Sequence, residues 1–203
     1  MEMEIDKIGS AIFFDRDGVI TKPVYSEKFG EYQPPHFPGD VIFYDEAIAV
    51  LRDFMALGIP LIVVSNQPDA AKGKVSIKNL YSVQNKIAEV LRDNGITFND
   101  YFYCYHHPDG TVPPYAGACR CRKPKPQFLF DARDEFGLEL EASWMIGDQD
   151  SDVECGRRAG CRTVAVSNPL SAHRRPGKDV PTFVARDVVE AVDKILASQE
   201  SGV

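Results

Sequence analysis

Ala11-Ile12-Phe13-Phe14-Asp15-Arg16-Asp17-Gly18 runs four apolar residues into two alternate carboxylates and a glycine. A short continuous apolar run reads as a parallel strand buried on both faces, and the polar residues that follow mark its carboxyl end. Ile59–Val64 repeats the pattern before Ser65-Asn66-Gln67, and Ser143–Ile146 repeats it before Gly147-Asp148. Helical patterns lie between these runs: Glu46–Leu57 with Asp45 as its cap, and Ser76–Asn94 with Gly95 as its stop. A third helix follows Pro126 and ends near Gly137, and a fourth runs from about Asp150 to Gly160 into a strand at Thr163–Val166. Arg186–Ser198 closes the chain as an amphipathic helix, with Gln199–Val203 expected to fray. Strands alternating with helices imply right-handed βαβ crossovers, hence an α/β, doubly wound, mainly parallel sheet with helices on both faces.

Ligands of such sheets bind beyond the carboxyl ends of the strands, where Asp15, Ser65 and Asp148 converge. The carboxylates of Asp15 and Asp17 suit phosphoryl transfer, one attacking phosphorus while the other handles the leaving-group proton. Proton transfer contributes roughly 10²–10⁴-fold, which is far short of the acceleration that phosphate monoesters require. Charge neutralisation must supply the rest. An oxygen-lined Mg²⁺ site using Asp148 as a third acid meets that need, with Asp150 or Asp152 supporting the metal through its water shell. Ser65 is placed to donate hydrogen bonds to the transferring group, and Lys123 to neutralise it.

At 203 residues the chain suits a single domain over 1–203, with its core at about 11–198. A net charge of −7 argues against nucleic-acid or anionic-membrane partners and leaves a small phosphate ester as the expected partner. The absence of a long apolar run points to the cytoplasm. Two stretches break the alternation: Thr21–Asp40, rich in Pro, Gly and aromatics, and Cys104–Pro126. Both read as loops shaping a pocket.

Five cysteines without an export signal do not suggest a disulfide framework. Cys104-x-His106 and Cys119-x-Cys121 supply three thiolates and an imidazole, a closed tetrahedral set suited to structural Zn²⁺ in a loop at about 104–121. Cys155 and Cys161 read as buried small hydrophobes, and His36 and His173 receive no chemistry.

Phe13–Val19, Val63–Gln67, Arg122-Lys123-Pro124, and Ile146-Gly147-Asp148 followed by Asp152 together resemble, in order, the motifs of the haloacid dehalogenase superfamily of phosphatases. The resemblance covers about Ala11 to Val166. It implies that Asp15 is a nucleophile forming an aspartyl-phosphate and that Asp17 is general acid, then base. It implies Mg²⁺ held by Asp15, the Asp17 backbone carbonyl and Asp148, phosphoryl contacts from Ser65 and Lys123, and substrate contacts from Asn66, Gln67 and Arg122.

The zinc-loop spacing is similar to that of the D-glycero-D-manno-heptose 1,7-bisphosphate phosphatases and the histidinol-phosphate phosphatases, which lack a large cap domain. That pattern selects His106 rather than His107 and makes heptose 1,7-bisphosphate the leading substrate, with histidinol phosphate as the alternative. It also makes a monomer the default. Lys72 before Gly73, where the heptose enzymes usually carry Arg, and Gln149 after Asp148 bear on the substrate rather than the reaction. A reading from another class is a zinc-stabilised binding module without catalysis, which would require decay of the carboxylate cluster; Asp15, Asp17 and Asp148 are all present.

Overall fold

In the computed structural model, which describes residues 9–174, 177 and 179–200, the opening apolar run becomes strand β1 (Ile12–Phe14) at the centre of a sheet. Two strands follow as a separate antiparallel pair, β2 (Val24–Ser26) and β3 (Glu31–Gln33). Then come α1 (Asp45–Ala56), β4 (Leu61–Asn66), α2 (Ile77–Asp93), β5 (Asp100–Cys104), α3 (Gln127–Phe136) and β6 (Trp144–Gly147). The chain continues through α4 (Asp150–Ala159), β7 (Arg162–Val166), β8 (Phe183–Ala185) and α5 (Val188–Glu200). The main sheet has six parallel strands in the order β5-β4-β1-β6-β7-β8. This is the expected α/β doubly wound architecture.

The continuous apolar runs have a simple cause. Alternate residues of each central strand face opposite cores, as the two-residue period of a strand requires. Ile12, Phe14, Leu61, Val63, Trp144 and Ile146 pack with residues of α1, α2 and α5. Ala11, Phe13, Ile62, Val64 and Met145 pack with residues of α3 and α4. Both faces are buried, so the strands have no polar side along their length.

Several local readings are corrected. Asp45 is not the cap of α1; Tyr44 takes that position without a side-chain hydrogen bond, and Asp45 lies in the first turn, where its charge favours the helix dipole. The last helix starts at Val188 because Asp187 Oδ1 accepts the Glu190 backbone N–H at 2.9 Å, a capping bond. It runs to Glu200, and the remainder of the Gln199–Val203 stretch lies outside the described residues. Thr21–Asp40 is not all loop, since it contains the β2–β3 hairpin. Strand β5 and the three-residue β8 went unread in the sequence. No helix among the described residues is long and apolar enough to cross a membrane.

Candidate active site

Pairing of Phe14 with both Val63 and Ile146 sets the carboxyl ends of β1, β4 and β6 at one level. Asp15 follows directly, its backbone N–H donating to the Ile146 carbonyl at 2.8 Å. Ser65 ends the apolar part of β4, and Asp148 follows β6. Asp15, Asp17, Ser65, Asn66, Arg122, Lys123 and Asp148, expected from sequence, line one cavity of about 370 Å³. Gln67, also expected there, lies behind that lining and is 1% exposed.

The ammonium of Lys123 organises the cavity floor. It lies 2.9 Å from Asp15 Oδ1 and 2.7 Å from Asp152 Oδ1, and donates to the Val64 carbonyl at 2.6 Å. The contacts with Asp15 and Val64 are hydrogen bonds, and that with Asp152 is an ion pair. Burial works against the charge of Lys123, but Asp15 and Asp152 outweigh it, raising its pKa. Its backbone is fixed by Asn66, which accepts the Lys123 N–H at 3.0 Å and donates to the Lys123 carbonyl at 3.1 Å. The amide of Asn66 is thus engaged with Lys123.

Asp17 is held from several sides. Arg16 makes a forked contact at 3.0 and 2.8 Å, Thr21 Oγ1 donates at 2.9 Å, and Gln67 Nε2 donates at 2.6 Å. Gln67 also donates to Ser65 Oγ at 3.1 Å, which leaves the serine's own proton available to a ligand oxygen. Arg16, 1% exposed, packs its guanidinium 5.5 Å from the Tyr103 ring centroid. Gly18 permits the sharp turn after Asp17, with φ of +97°.

Oxygens of Asp15, Asp148 and Asp152 lie within 4.8 Å of one another, and all three residues are buried. Neither oxygen of Asp148 has a hydrogen-bond donor among the described residues, although Asp148 is 0% exposed. Burial, followed by the nearby Asp15 and Asp152, pushes its carboxyl well above the usual carboxylate range. Asp152 is likewise pushed up to about 6, by burial against the opposing pull of Lys123 and with Asp15 adding to the rise. Three buried carboxylates around the Lys123 ammonium, with both Asp148 oxygens lacking a hydrogen-bond donor among the described residues, fit a small oxygen-seeking cation. Asp152 also accepts the Gln149 N–H through Oδ2 at 2.9 Å, tying the cluster to the start of α4. Its link to Lys123 crosses between elements, so sequence placed it in a motif without revealing that contact.

The cysteine loop closes beside this pocket. Sγ atoms of Cys104, Cys119 and Cys121 stand 3.3–3.5 Å apart, and His106 completes the cluster with a buried Nδ1 that has no hydrogen-bond partner among the described residues. His107 instead accepts the Asp109 N–H at 3.1 Å. Contacts with the other two sulfurs, that with Cys104 first, hold the Cys121 thiol down at about 5, while Cys104 is raised by its contact with Cys121 and by burial. Three converging sulfurs and a bare imidazole nitrogen fit a thiophilic metal. The loop reaches the pocket through Arg122, whose Nη1 donates to the His106 carbonyl at 3.3 Å.

Cys155 and Cys161 lie in the core beside α3 and α4, and burial pushes both thiols up to about 12. His36, given no role from sequence, is 5% exposed and bonds Asp69. No signal in sequence pairs residues 33 positions apart on two loops. The side chain of His173 lies outside the described residues.

A HAD-hydrolase-like family model matches residues 120–191. A D-glycero-alpha-D-manno-heptose-1,7-bisphosphate 7-phosphatase of Photorhabdus laumondii is 34% identical over 173 residues, covering 83% of this chain and 89% of that protein. The D-glycero-beta-D-manno-heptose-1,7-bisphosphate 7-phosphatase of Escherichia coli K12 is 29% identical, covering 91% of this chain and 94% of that one. Among solved structures, a D,D-heptose 1,7-bisphosphate phosphatase from B. bronchiseptica, complexed with magnesium and phosphate, superimposes with a TM-score of 0.78 at 22% identity, covering 93% of this chain and 99% of that one. A HAD-like phosphatase structure from Mesorhizobium loti gives 0.75 at 27% identity, covering 95% and 86%.

Proposed function

The chain belongs to the haloacid dehalogenase-like hydrolases, and we propose that it is a magnesium-dependent phosphatase acting on D-glycero-D-manno-heptose 1,7-bisphosphate through an aspartyl-phosphate on Asp15. One observation carries this reading above the rest: a buried Asp15–Asp148–Asp152 cluster with orphaned oxygens, at the strand ends where Ser65 and Lys123 converge. The substrate follows from the relatives' names and the matching coverage of both chains.

Asp15, the backbone carbonyl of Asp17 and Asp148 would hold Mg²⁺, with Asp152 supporting them. The cation would supply charge neutralisation to the transferring phosphoryl group. Asp15 attacks phosphorus with a carboxylate oxygen, and the bond from phosphorus to the sugar oxygen breaks. Asp17, oriented by Arg16, Thr21 and Gln67, gives that departing oxygen a proton and then takes one from the water that hydrolyses the acyl phosphate. Ser65 and Lys123 stabilise the phosphoryl oxygens, and Arg122 meets the rest of the substrate. We assign Asn66 and Gln67 to positioning, since their amides are bonded to Lys123 and Asp17.

Cys104, His106, Cys119 and Cys121 would hold a structural Zn²⁺ that fixes Arg122 and Lys123 beside the pocket. We take a monomer in the cytoplasm as the working form, a reducing compartment being consistent with five free cysteines. The test is phosphate release across both heptose bisphosphate anomers, histidinol phosphate and hexose phosphates, with Mg²⁺. One dominant heptose anomer is expected. Release from histidinol phosphate alone would contradict the substrate, and no release from any ester would contradict the reaction.

A further inference from the structure

The outer wall of the cavity is the β2–β3 hairpin. Glu31, Tyr32, Gln33 and Pro34 line the same space as Asp15. A two-stranded hairpin is marginal by itself in water, so its position depends on what ties it down. Tyr25 against Tyr32, with ring centroids 5.3 Å apart, stabilises the pair internally without anchoring it. Three contacts among the described residues tie it to the loop after β4. Lys74 pairs with Glu31 and sits 4.9 Å over the Phe29 ring. His36 Nε2 lies 2.8 Å from Asp69 Oδ2, and Gln33 Nε2 lies 3.2 Å from His36 Nδ1.

These anchors differ in weight. Glu31 is 46% exposed in its pair with Lys74, and such pairs contribute little. His36 and Asp69 are each 5% exposed, so separating them leaves a buried carboxylate without its 2.8 Å partner, with Lys74 Nζ still 4.0 Å from its other oxygen, which is unfavourable. Because the carboxylate only accepts, Nε2 carries the imidazole proton and Nδ1 accepts from Gln33. The chain of bonds therefore runs from the pocket-lining Gln33 through His36 to Asp69, four residues beyond Ser65.

We propose that His36 and Asp69 form a positioning pair that locks the hairpin as the outer wall of the phosphate-ester pocket, and thereby sets which leaving group the pocket accepts. This rests on the phosphatase reading above for its substrate consequence, but not for the lock itself. His36 does not line the cavity that holds Asp15, although Asp69 does, so His36 acts through the hairpin rather than by touching the phosphoryl group.

The test compares native protein with His36→Phe, His36→Gln and Asp69→Asn, using heptose 1,7-bisphosphate and acetyl phosphate, whose leaving group is too short to reach the hairpin. His36→Phe should raise KM for the bisphosphate about tenfold while acetyl phosphate kinetics stay within about twofold. Amide hydrogen exchange over Val24–Gln33 should quicken about tenfold. His36→Gln, whose Nε2 replaces the imidazole donor, should restore both. Should His36→Phe fail to fold, Asp69→Asn, which weakens the contact from the other side, should quicken exchange in the same segment. Equal losses on both substrates, or unchanged exchange in the hairpin, would overturn the proposal. Inactivity of the native protein on both esters would refute the phosphatase reading, and the exchange data would still decide for or against the lock.

Discussion

A methyl group on Gly18 would sit 2.1 Å from Asp148 Oδ2, and one on Gly147 would sit 2.2 Å from Asp152 Cβ. These two glycines let backbone and carboxylates approach as closely as a cation site demands. Gly18→Ala should therefore lower kcat/KM by about 10³-fold or more while also lowering Tm, since strain at positive φ adds about 1–3 kcal/mol to the clash. A variant with near-native turnover would show that the cluster tolerates expansion. Lys123→Met removes the ammonium that two buried carboxylates face, and should destabilise the metal-free protein by about 3–5 kcal/mol in denaturant unfolding at pH 8. The loss should shrink toward pH 5, because Asp152, at about 6, then takes a proton and no longer needs a partner. At this scale, Asp15, Ser65 and Asp148 were legible because each ends an apolar run. Arg16 was not, and Gln67 was read as a substrate contact instead, because their work on Asp17 depends on directions that only the fold provides.

Among the elements, the central strands and the helices were readable from periodicity, and the edges were not. Strand β5 reads Asp-Tyr-Phe-Tyr-Cys, neither alternating nor continuously aliphatic, and β8 is three residues long. The hairpin hid among Pro, Gly and aromatics because its stability comes from contacts with the Gln67–Lys74 loop rather than from its own pattern. The Cys104–His106–Cys119–Cys121 cluster was legible from spacing, and Cys104, ending β5 opposite Asn66, brings it beside the active strand ends. Purified protein should carry about one zinc per chain by elemental analysis. Cys119→Ser should lose it, lower Tm, and raise KM more than a surface substitution does. Retained stability and kinetics without zinc would remove the loop from the account.

The whole molecule is a sheet whose two buried faces hold it rigid while its carboxyl edge carries uncompensated acid. Asp148 and Asp152 have folded-state pKa values raised above those of free carboxyls, so in the metal-free protein their contribution to stability is present at low pH and is lost as pH rises, that of Asp152 through about 6. Magnesium competes with those protons. The Mg²⁺-induced rise in Tm should accordingly be small near pH 5 and grow toward pH 8; a rise independent of pH would mean that the cation binds elsewhere. The most direct test of the central claim is phosphate release from heptose 1,7-bisphosphate at saturating Mg²⁺ by native protein and Asp15→Asn. The native chain should turn over, and the variant should lose about 10⁴-fold or more. A variant retaining activity within about tenfold of native would contradict Asp15 as the nucleophile.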